Sequence, residues 1–430
     1  MLRALYSSLF YVFLPLVVLR VLWRGFANRG YWTGLSERLG RVRVEPTAGD
    51  VVWLHAVSVG EAQAAVPLVR DLLKTHPQLQ IVVTTTTPTG RERVLQTLGS
   101  TRSVHVQFAP YDVPHAVGAF LRRVRPCLVI IMETEIWPNL LHLCAHRQVP
   151  VVLANARLSA RSAARYQRIR KLIEPTLNCF STIAAQTTAD QERFQALGAK
   201  GPVPVTGSIK FDVQMPASVH EAGRALRRRW GEARAVFIAA STHDGEEEEV
   251  LEAFRLIRET EEDSLLVLVP RHPERFRKVE QLARKQGWTV ACHSDQPSDV
   301  RAIAVYLGDT MGELSSMYAG ADVAFVGGSL VAVGGHNMLE PAALGVPALF
   351  GPYLHNFFDI AAALGDAGAA FVVRSPTELA TMTLSLLQDA NRRHACGVLG
   401  KAFVDENRGA LTRTVALLSE QLGLATMSNS

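Results

Sequence analysis

One acidic residue early in the chain is placed where it could move a proton. Glu61 ends the segment HAVSVGE (residues 55–61), which follows an apolar run and leads into an amphipathic stretch. A carboxylate in the first turn of a helix is stabilised by the helix dipole and can act as a general base. The same position also suits a simple helix cap, so both roles for Glu61 are open on spacing alone.

A second acidic segment, METEIWPN (residues 132–139), follows the apolar run Leu128–Met132. It places Glu133 and Glu135 beside Trp137 at the end of a candidate strand. Neighbouring carboxylates change each other's pKa, and they can also bind sugar hydroxyls. A surface turn with two solvated acids is the alternative interpretation.

Hydroxyl and guanidinium groups occupy two further candidate strand ends in the first half. They are found in Thr84–Thr87 with Arg91, and in Asn155–Ser159. These groups suit an anionic acceptor such as a phosphorylated sugar. Arg161 and Arg165 could extend the same basic surface, although an ordinary solvated helix face accounts better for those two.

The second half carries a glycine-rich segment that predicts a phosphate site. Gly327–Ser329 end an apolar run, Gly334 and Gly335 follow, and HNMLEP (residues 336–341) opens a helix. Glycines before a helix expose backbone N–H groups to a phosphate, and Glu340 could accept both hydroxyls of a ribose. The pattern is neither a dinucleotide fingerprint nor a Walker loop, which disfavours NAD and ATP. A glycine-rich connection without a ligand is the alternative.

Two more segments would complete a nucleotide pocket in the second half. The segment PRHPER (residues 270–275) follows a candidate strand and supplies a cation, Arg271. The segment DTMGEL (residues 309–314) could present a glycine-flanked backbone to the edge of a base. Each signal is weak alone, and together they predict a pocket built wholly from the second half.

These segments can form a site only if the strands before them end at the same edge of a sheet. The pattern of the rest of the chain predicts such a parallel sheet. Short β-rich runs alternate with amphipathic stretches from Asp50 onward, which is typical of parallel sheets with crossover helices. Candidate strands of the first half are Val51–Ala56, Ile81–Thr85, Val104–Phe108, Cys127–Met132, Val149–Asn155, Thr182–Gln186 and Val203–Gly207. Those of the second half are Ala235–Ala240, Leu265–Pro270, Thr289–Cys292, Ile303–Leu307, Val323–Gly327, Val346–Phe350 and Ala370–Val373.

Residues 212–234 separate the two halves, since they are rich in charged and small residues and contain no strand-like run. We therefore predict an α/β protein with two Rossmann-like domains facing each other across a cleft. The N-terminal domain covers 26–211, an interdomain linker covers 212–234, and the C-terminal domain with its terminal helices covers 235–430. Ligands in such sheets bind beyond the carboxyl ends of the strands.

Charge and cysteine content narrow the class of protein. The net charge is only +5, but residues 1–44 hold seven arginines against one acid, Glu37. These arginines are Arg3, Arg20, Arg24, Arg29, Arg38, Arg41 and Arg43. A basic head on a near-neutral body suits an anionic membrane surface, and no nucleic-acid-binding signature is present. The five cysteines are scattered and form no C-x-x-C pair, which favours a reducing, cytoplasmic compartment over a disulfide framework or a zinc site.

The N-terminus predicts a membrane anchor over residues 1–25. Ala4 to Leu19 is uncharged for sixteen residues, and arginines flank it on both sides. A spanning helix needs roughly 20 apolar residues, which snorkelling arginines can supply, so spanning and lying in the interface are both open. No small-x-small cleavage site precedes Arg24, which disfavours a secretory signal peptide. The positive flank predicts that the downstream chain stays cytoplasmic.

The motifs and their order resemble the 3-deoxy-D-manno-oct-2-ulosonic acid (Kdo) transferases of lipopolysaccharide synthesis. The resemblance runs from the apolar N-terminus to about residue 415. It is carried by HAVSVGE, TPTGRERV, METEIWPN, NARLSARSA, GSIKFD, STHDGEE, PRHPERF, GDTMGEL, FVGGS and GGHNMLE. Any one of these motifs would be unspecific, but ten in sequence are not.

The resemblance implies a GT-B architecture with the acceptor on the N-terminal domain and CMP-Kdo on the C-terminal domain. The family's general base matches Glu61, and Glu135 is expected to assist. The implied CMP contacts are Pro270, Arg271, Met311, Gly312, Glu313, Asn337, Met338, Leu339 and Glu340. Ser329 and Gly335 would lie close to the phosphate.

The resemblance also implies the reaction. Inverting transfer would move one or two Kdo residues from CMP-Kdo onto the tetraacyl disaccharide bisphosphate precursor of lipid A (lipid IVA). No metal or other cofactor is expected, and the enzyme would work on the cytoplasmic side of the bacterial inner membrane. The alternative is a transferase or epimerase of the same fold that uses a UDP-sugar on another cell-envelope precursor. Thermal stabilisation by CMP but not by UDP would separate the two.

Overall fold

The computed structural model describes residues 2–42, 49–297, 299–355 and 357–429. The chain divides into two compact units, Met1–Asp212 with Arg408–Ser430, and Val213–Asn407. Arg43, one of the seven N-terminal arginines, lies outside the described residues.

The first unit is built on a six-stranded parallel sheet within the described residues. Its strands are β1 (Val51–His55), β2 (Gln80–Thr85), β3 (Val104–Phe108), β4 (Leu128–Met132), β5 (Val151–Ala156) and β6 (Thr182–Ala185). Their order is β3-β2-β1-β4-β5-β6, and every neighbouring pair is parallel. This is the order of a Rossmann sheet.

Helices cover both faces of this sheet, so its strands are apolar throughout. The helices are α1 (Leu2–Ala27), α2 (Leu35–Arg38), α3 (Val59–Thr75), α4 (Pro88–Leu98), α5 (Pro114–Val124), α6 (Pro138–His146), α7 (Ala160–Arg168), α8 (Arg170–Leu177) and α9 (Thr188–Ala196). Alternation along β1 separates two cores: Val52 and Leu54 pack on one face, whereas Val51 and Trp53 pack on the other.

The predicted strand Val203–Gly207 is reduced to a single bridge between Ala185 and Val205. The segment does run along β6, because the carbonyls of Pro202 and Pro204 accept hydrogen bonds from Ile183 and Ala185. Proline has no backbone N–H, so every second donor that a strand would supply is missing.

The second unit contains a seven-stranded parallel sheet within the described residues. Its strands are β7 (Val236–Thr242), β8 (Leu265–Pro270), β9 (Val290–Cys292), β10 (Val305–Leu307), β11 (Val323–Val326), β12 (Ala348–Phe350) and β13 (Ala370–Val372), in the order β13-β12-β11-β7-β8-β10-β9. Its helices are α10 (Ala217–Trp230), α11 (Glu246–Arg258), α12 (Phe276–Lys285), α13 (Leu314–Ala319), α14 (Leu339–Ala343), α15 (Phe358–Asp366), α16 (Pro376–Gln388) and α17 (Ala390–Asn407). Two Rossmann-like α/β units, as predicted, are confirmed.

The structure differs from the predicted linker over 212–234, because most of that segment is helix α10. Trp230 is fully buried in the core of the second unit, with its ring centroid 5.5 Å from that of Tyr306. A Cβ on Gly223 would lie 2.5 Å from the Cβ of Ala319, so α10 and α13 pack closely there. The many arginines on the outer face of α10 concealed its short apolar stripe from the sequence analysis.

The structure also differs from the predicted domain boundary at the C-terminus. Helix α18 (Ala410–Asn429) groups with the first unit, where Leu411, Val415 and Leu418 join the core under β1. The Asp212 carboxylate accepts hydrogen bonds from the backbone N–H groups of Gly409 and Leu411, each at 2.6 Å. Residues 408–430 therefore do not belong with 235–407.

Among the described residues, one helix is long and apolar enough to cross a membrane by length and composition, Leu2–Phe26 in α1. Its first two turns are held to the first unit by polar contacts. Tyr6 donates to the Asp112 carboxylate at 3.0 Å, and Ser7 donates to the Asn139 side chain at 2.8 Å. A series of large apolar side chains on α1 is exposed, namely Leu2, Leu5, Leu9, Tyr11, Val12, Phe13, Leu16, Leu19, Leu22, Trp23 and Phe26.

Candidate active site

Glu61 lies at the start of α3, directly beyond the carboxyl end of β1. Ser58 is the N-cap of the helix and accepts a hydrogen bond from the Glu61 backbone N–H at 3.2 Å. The Glu61 carboxylate in return accepts from the Ser58 hydroxyl at 2.9 Å and from the Val57 N–H at 2.7 Å. This is a capping box, so the structural role of Glu61 is real.

Capping does not explain the raised pKa of this carboxyl group. Burial, together with the negative charges of Glu135 and Glu133, raises the pKa of Glu61 to about 7, although hydrogen bonds from Val57 and Ser58 oppose this shift. A carboxyl group with a pKa near the ambient pH is suited to accept a proton from a hydroxyl. The capping role of Glu61 is therefore observed, and its role as general base stays a prediction that this environment suits.

Glu135 follows β4 and is held by the ring of Trp137. The indole N–H donates to the Glu135 carboxylate at 2.7 Å, and burial raises the pKa of Glu135. Behind it, the Trp137 ring meets the buried His55 ring edge to face with centroids 4.5 Å apart. The two acidic segments of the sequence analysis thus lie next to each other, and Glu135 is close enough to act on the charge of Glu61.

Glu133 has an unusual backbone and a cationic partner. Its φ of 58° lies in the left-handed region, which costs a non-glycine residue about 1–3 kcal/mol. The Lys210 ammonium lies 3.6 Å from its carboxylate. Asn155, also at positive φ, holds the loop that carries Lys210, because its side chain accepts from the Ile209 N–H at 3.0 Å. The NARLS and GSIKFD segments therefore meet at this strand edge.

The threonines predicted to contact an anionic acceptor have internal partners. The Thr84 hydroxyl lies between the Trp53 indole and the His55 ring, at 2.8 and 2.9 Å, and the Thr86 hydroxyl donates to the Val57 carbonyl. The guanidinium of Arg91 lies 3.7 Å from the buried Glu37 carboxylate. Arg161 and Arg165 are exposed, which agrees with a solvated helix face.

In the second unit, Glu340 is oriented from both sides at the start of α14. It accepts from the Asn337 amide at 3.1 Å and from the Ser315 hydroxyl at 3.3 Å. Burial raises the pKa of Glu340, while these two hydrogen bonds and the charge of Arg271 lower it. Met338 and Leu339 are buried beneath it, and Pro270 is buried at the end of β8.

The Met311–Glu313 segment, by contrast, is exposed. Gly312 has φ +89°, and a Cβ there would meet no atom within 4 Å. The Glu313 carboxylate accepts a hydrogen bond from the Thr310 hydroxyl and lies 3.1 Å from the His293 ring. Nothing crowds the outer side of this turn, so a base could approach its backbone.

The glycine-rich segment is engaged by an internal carboxylate. Glu246, fully buried at the start of α11, accepts backbone hydrogen bonds from Gly328, Ser329 and Leu330 at 2.7–2.9 Å. The Ser329 hydroxyl is also buried, where it donates to the Val326 carbonyl and accepts from the Gly351 N–H. The Gly335 N–H donates to the Gly328 carbonyl at 2.7 Å.

Comparison with known proteins identifies the family of a chain that carries the Glu61 site in its first unit and the Glu340 site in its second. The family model for 3-Deoxy-D-manno-octulosonic-acid transferase (kdotransferase) matches residues 33–213. A 3-deoxy-D-manno-octulosonic acid transferase of Haemophilus influenzae is 40% identical over 425 residues, 98% of this chain and 99% of the relative. The chain belongs to the Kdo transferase family. A second member, from Bordetella pertussis, is 35% identical and covers 98% of this chain and 100% of its own.

This Kdo transferase is a glycosyltransferase, as the motif order predicted. Its fold also resembles that of a solved UDP-GlcNAc 2-epimerase from Neisseria meningitidis, with a TM-score of 0.56 and 13% identity over 87% of this chain and 99% of that one. At that identity the likeness concerns the fold alone, and it agrees with the expected GT-B type.

Three polar residues of the Kdo transferase were not singled out as site residues by the sequence analysis. Lys210 and Glu246 lie in quoted motifs, GSIKFD and STHDGEE, and His336 lies between Gly335 and the start of α14. Their roles depend on partners 77 or more positions away, namely Glu133, Gly328 and His243. In the sequence, the one indication that these residues belong to a site was their position among other polar residues that follow predicted strands. Among the described residues, no group of three or more His, Cys, Asp or Glu is arranged to hold a metal ion.

Proposed function

We propose that this protein transfers one or two Kdo residues from CMP-Kdo onto the tetraacyl disaccharide bisphosphate lipid A precursor, lipid IVA. The observation that carries the proposal is Glu61. It is a buried carboxylate with a pKa of about 7, at a strand end in a chain of the Kdo transferase family. The names of the relatives supply Kdo as the sugar, and the chemistry of each site supplies the rest.

In the proposed reaction, Glu61 accepts the proton of a primary hydroxyl on the acceptor. That oxygen attacks the anomeric carbon of Kdo, and the bond from this carbon to the phosphate oxygen of CMP breaks. The bonding electrons leave with CMP, so the anomeric centre inverts and no covalent intermediate with the enzyme forms. Glu135 supports the step, because its negative charge makes Glu61 a stronger base.

Donor binding is assigned to the second unit. Glu340, already oriented by Asn337 and Ser315, accepts the hydroxyls of the ribose. The exposed turn at Met311–Glu313 faces the base, and Arg271 supplies positive charge for the phosphate. Pro270, Ser329, Met338 and Leu339 are buried and shape the pocket from beneath. No metal or other cofactor is included, because CMP is already an adequate leaving group.

The acceptor and the N-terminal helix fit the same proposal. Lipid IVA is held in a membrane by its acyl chains, and α1 exposes large apolar side chains along most of its length. Arg20, Arg24 and Arg29 lie at or beyond its C-terminal half, where anionic lipid headgroups attract cations. We place the enzyme at the bacterial inner membrane with both units on the cytoplasmic side.

The test is an assay with freshly generated CMP-Kdo and lipid IVA, comparing the wild type with Glu61→Ala. We expect product from the wild type and at least about a 100-fold loss in the variant, the scale of losing a general base. Glu92→Ala, at an exposed position of α4, is the matched control and should keep wild-type activity. The mass of the product counts the sugars added.

Each other outcome contradicts a stated part of the proposal. An equally active Glu61→Ala variant would leave the reaction in place and move the base elsewhere, first to Glu135. A folded wild type that binds CMP but makes no product would contradict the acceptor or the sugar.

A further inference from the structure

The phosphate of the donor needs partners other than the glycine-rich backbone. The N–H groups of Gly328, Ser329 and Leu330 are already bound by the Glu246 carboxylate, an internal anion in the place where the sequence predicted an external one. Displacing Glu246 would leave a buried carboxylate without its hydrogen bonds, which is costly. The candidates that remain nearby are cationic or protonatable side chains.

Such side chains are grouped around Gly328. The ring nitrogens Nε2 of His243 and His336 are 2.7 Å apart, and their rings are parallel with centroids 5.0 Å apart. The His272 ring meets His243 edge to face at 5.2 Å. Arg271 is close enough for its charge to act on both His243 and His336.

Gly328 is what permits this arrangement. A Cβ at this position would lie 2.9 Å from Cδ2 of His336, and the residue has φ +67°, a conformation that L side chains rarely adopt. Glu246 fixes both sides of the pair, because its carboxylate accepts from the backbone N–H of His243 as well as from Gly328. The two imidazoles are therefore set by buried contacts.

A separation of 2.7 Å between two Nε2 atoms requires one hydrogen between them, so one ring donates and the other accepts. With neutral rings the pair is a hydrogen-bonded dimer, and with one further proton it is an imidazolium–imidazole pair. Burial, together with the charges of His243, Arg271 and His272, lowers the pKa of His336 to about 3. Burial also lowers the pKa of His243, with Glu246 opposing and His272, Arg271 and Arg275 reinforcing the shift. Both shifts favour the neutral form of the empty pair.

We propose that the His243–His336 pair takes up one proton when the phosphate of the nucleotide binds, and that this proton is donated to the phosphate oxygen that leaves the sugar. The proposal rests on the proposed function, since it places the donor phosphate at this pair. The charges of Arg271, His272 and Arg275 disfavour a further proton on the empty pair. A bound phosphate supplies negative charge that offsets them.

The step balances with the reaction already described. When the bond between the anomeric carbon and the phosphate oxygen breaks, its electrons go to that oxygen, and the charge of the phosphate rises from one to two. The imidazolium pair meets this charge by a hydrogen bond or by giving up its proton. The acceptor's proton goes separately to Glu61. Stabilising charge where it develops is the largest single contribution that enzymes make to such steps.

Titration calorimetry with CMP on the full-length protein tests the proposal. Binding measured at pH 8 in two buffers of different ionisation enthalpy gives the number of protons taken up. We expect uptake approaching one proton, with affinity falling by about tenfold per pH unit above neutrality, as linkage requires for one proton. Cytidine, which lacks the phosphate, should bind without proton uptake.

His243→Gln and His336→Gln should each abolish the uptake and weaken CMP binding, with little change for cytidine. His394→Gln, at an exposed position of α17, is the matched control and should behave as the wild type. Nitrogen-15 spectra of histidine in the wild type, with and without CMP, need no variant and should show one additional protonated ring nitrogen upon binding.

The outcomes separate this proposal from the function on which it rests. CMP binding and Kdo transfer without proton uptake, or uptake that persists in both glutamine variants, would overturn the role of the histidine pair alone. A wild type that does not bind CMP would overturn the assigned donor site and this proposal with it.

Discussion

The Glu61 carboxylate has an observed structural role and a proposed catalytic role. It closes the first turn of α3 through Ser58 and Val57, and its pKa is raised to about 7, chiefly by burial. Because its pKa in the folded chain is raised, its proton stabilises the fold at acidic pH, and that contribution is lost as the pH rises through about 7. The ionised form that the proposed reaction requires is thus the less stable one.

The pH profile of kcat/KM, which reports the ionisations of the free enzyme, should therefore have an acidic limb with an apparent pKa near 7. Activity should fall as the pH drops, since the base becomes protonated. Glu135→Gln should move this limb to lower pH, because the charge of Glu135 raises the pKa of Glu61. A rate profile that does not respond to this substitution would contradict the coupling between the two acids.

Gly328→Ala should weaken CMP binding by roughly tenfold or more, since about 1.4 kcal/mol corresponds to tenfold in affinity. The added methyl group would meet the His336 ring at 2.9 Å on a backbone with positive φ. Titration calorimetry gives the affinity. Gly287→Ala is the comparison, because it lies outside the proposed site, its φ of +88° is also positive, and a Cβ there meets no atom within 4 Å. Equal losses in the two variants would show that backbone strain alone is responsible.

At the scale of elements, the apolar runs located all thirteen strands of the described residues to within two residues at either end. The fourteenth predicted strand, Val203–Gly207, is only a bridge. Continuous runs such as Leu128–Met132 are apolar because helices cover both faces of the sheet. Helix α10 was not predicted, because it contains no continuous apolar run. Its buried stripe is narrow, and arginines fill the remaining positions.

Trp230→Ala distinguishes a packed helix from a linker. A buried aromatic residue costs about 3–5 kcal/mol when cut to alanine, whereas a residue in a solvated linker costs little. We expect a loss of that size in the denaturant unfolding of the second unit, followed by near-ultraviolet circular dichroism. Arg228→Ala, on the exposed face of α10, is the control and should change the stability by less than about 0.5 kcal/mol.

Helix α1 gives a prediction for membrane association. Replacing Val12, Leu16, Leu19 and Trp23 together with serine should move the protein into the soluble fraction after lysis, because apolar burial drives interfacial binding. The contacts of Tyr6 with Asp112 and of Ser7 with Asn139 remain in this variant, so the fold of the first unit is kept. Unchanged sedimentation would contradict the anchor.

At the scale of the molecule, two Rossmann-like units and the positions of most polar strand ends could be predicted, because each depends on patterns within about thirty residues of sequence. What could not be predicted depends on distant partners. Glu246 and Gly328 are 82 positions apart, and Asp212 and Leu411 are 199 apart. No local pattern reports such a pair, so the engaged glycine loop and the return of α18 came only with the structure.

A chain that ends at Asn407 should lose stability in the first unit while the second keeps its core. The truncation removes Leu411, Val415 and Leu418 from the core under β1, and each buried side chain of this kind contributes about 1.5–3 kcal/mol. We expect a lower melting temperature for the first unit and retained CMP binding by the second. Loss of CMP binding together with the first unit would contradict the division at residues 212 and 408.

The return of α18 also sets an order of events during synthesis. Residues 213–407 form one uninterrupted stretch, so the second unit has all of its own chain while the ribosome is still translating. The first unit begins before this stretch, yet its core is completed by residues of α18, which follow it. Domains usually fold from the N-terminus onward as they emerge. Here the first unit must wait until the whole second unit has been synthesised, and the apolar surface beneath β1 stays uncovered until α18 follows.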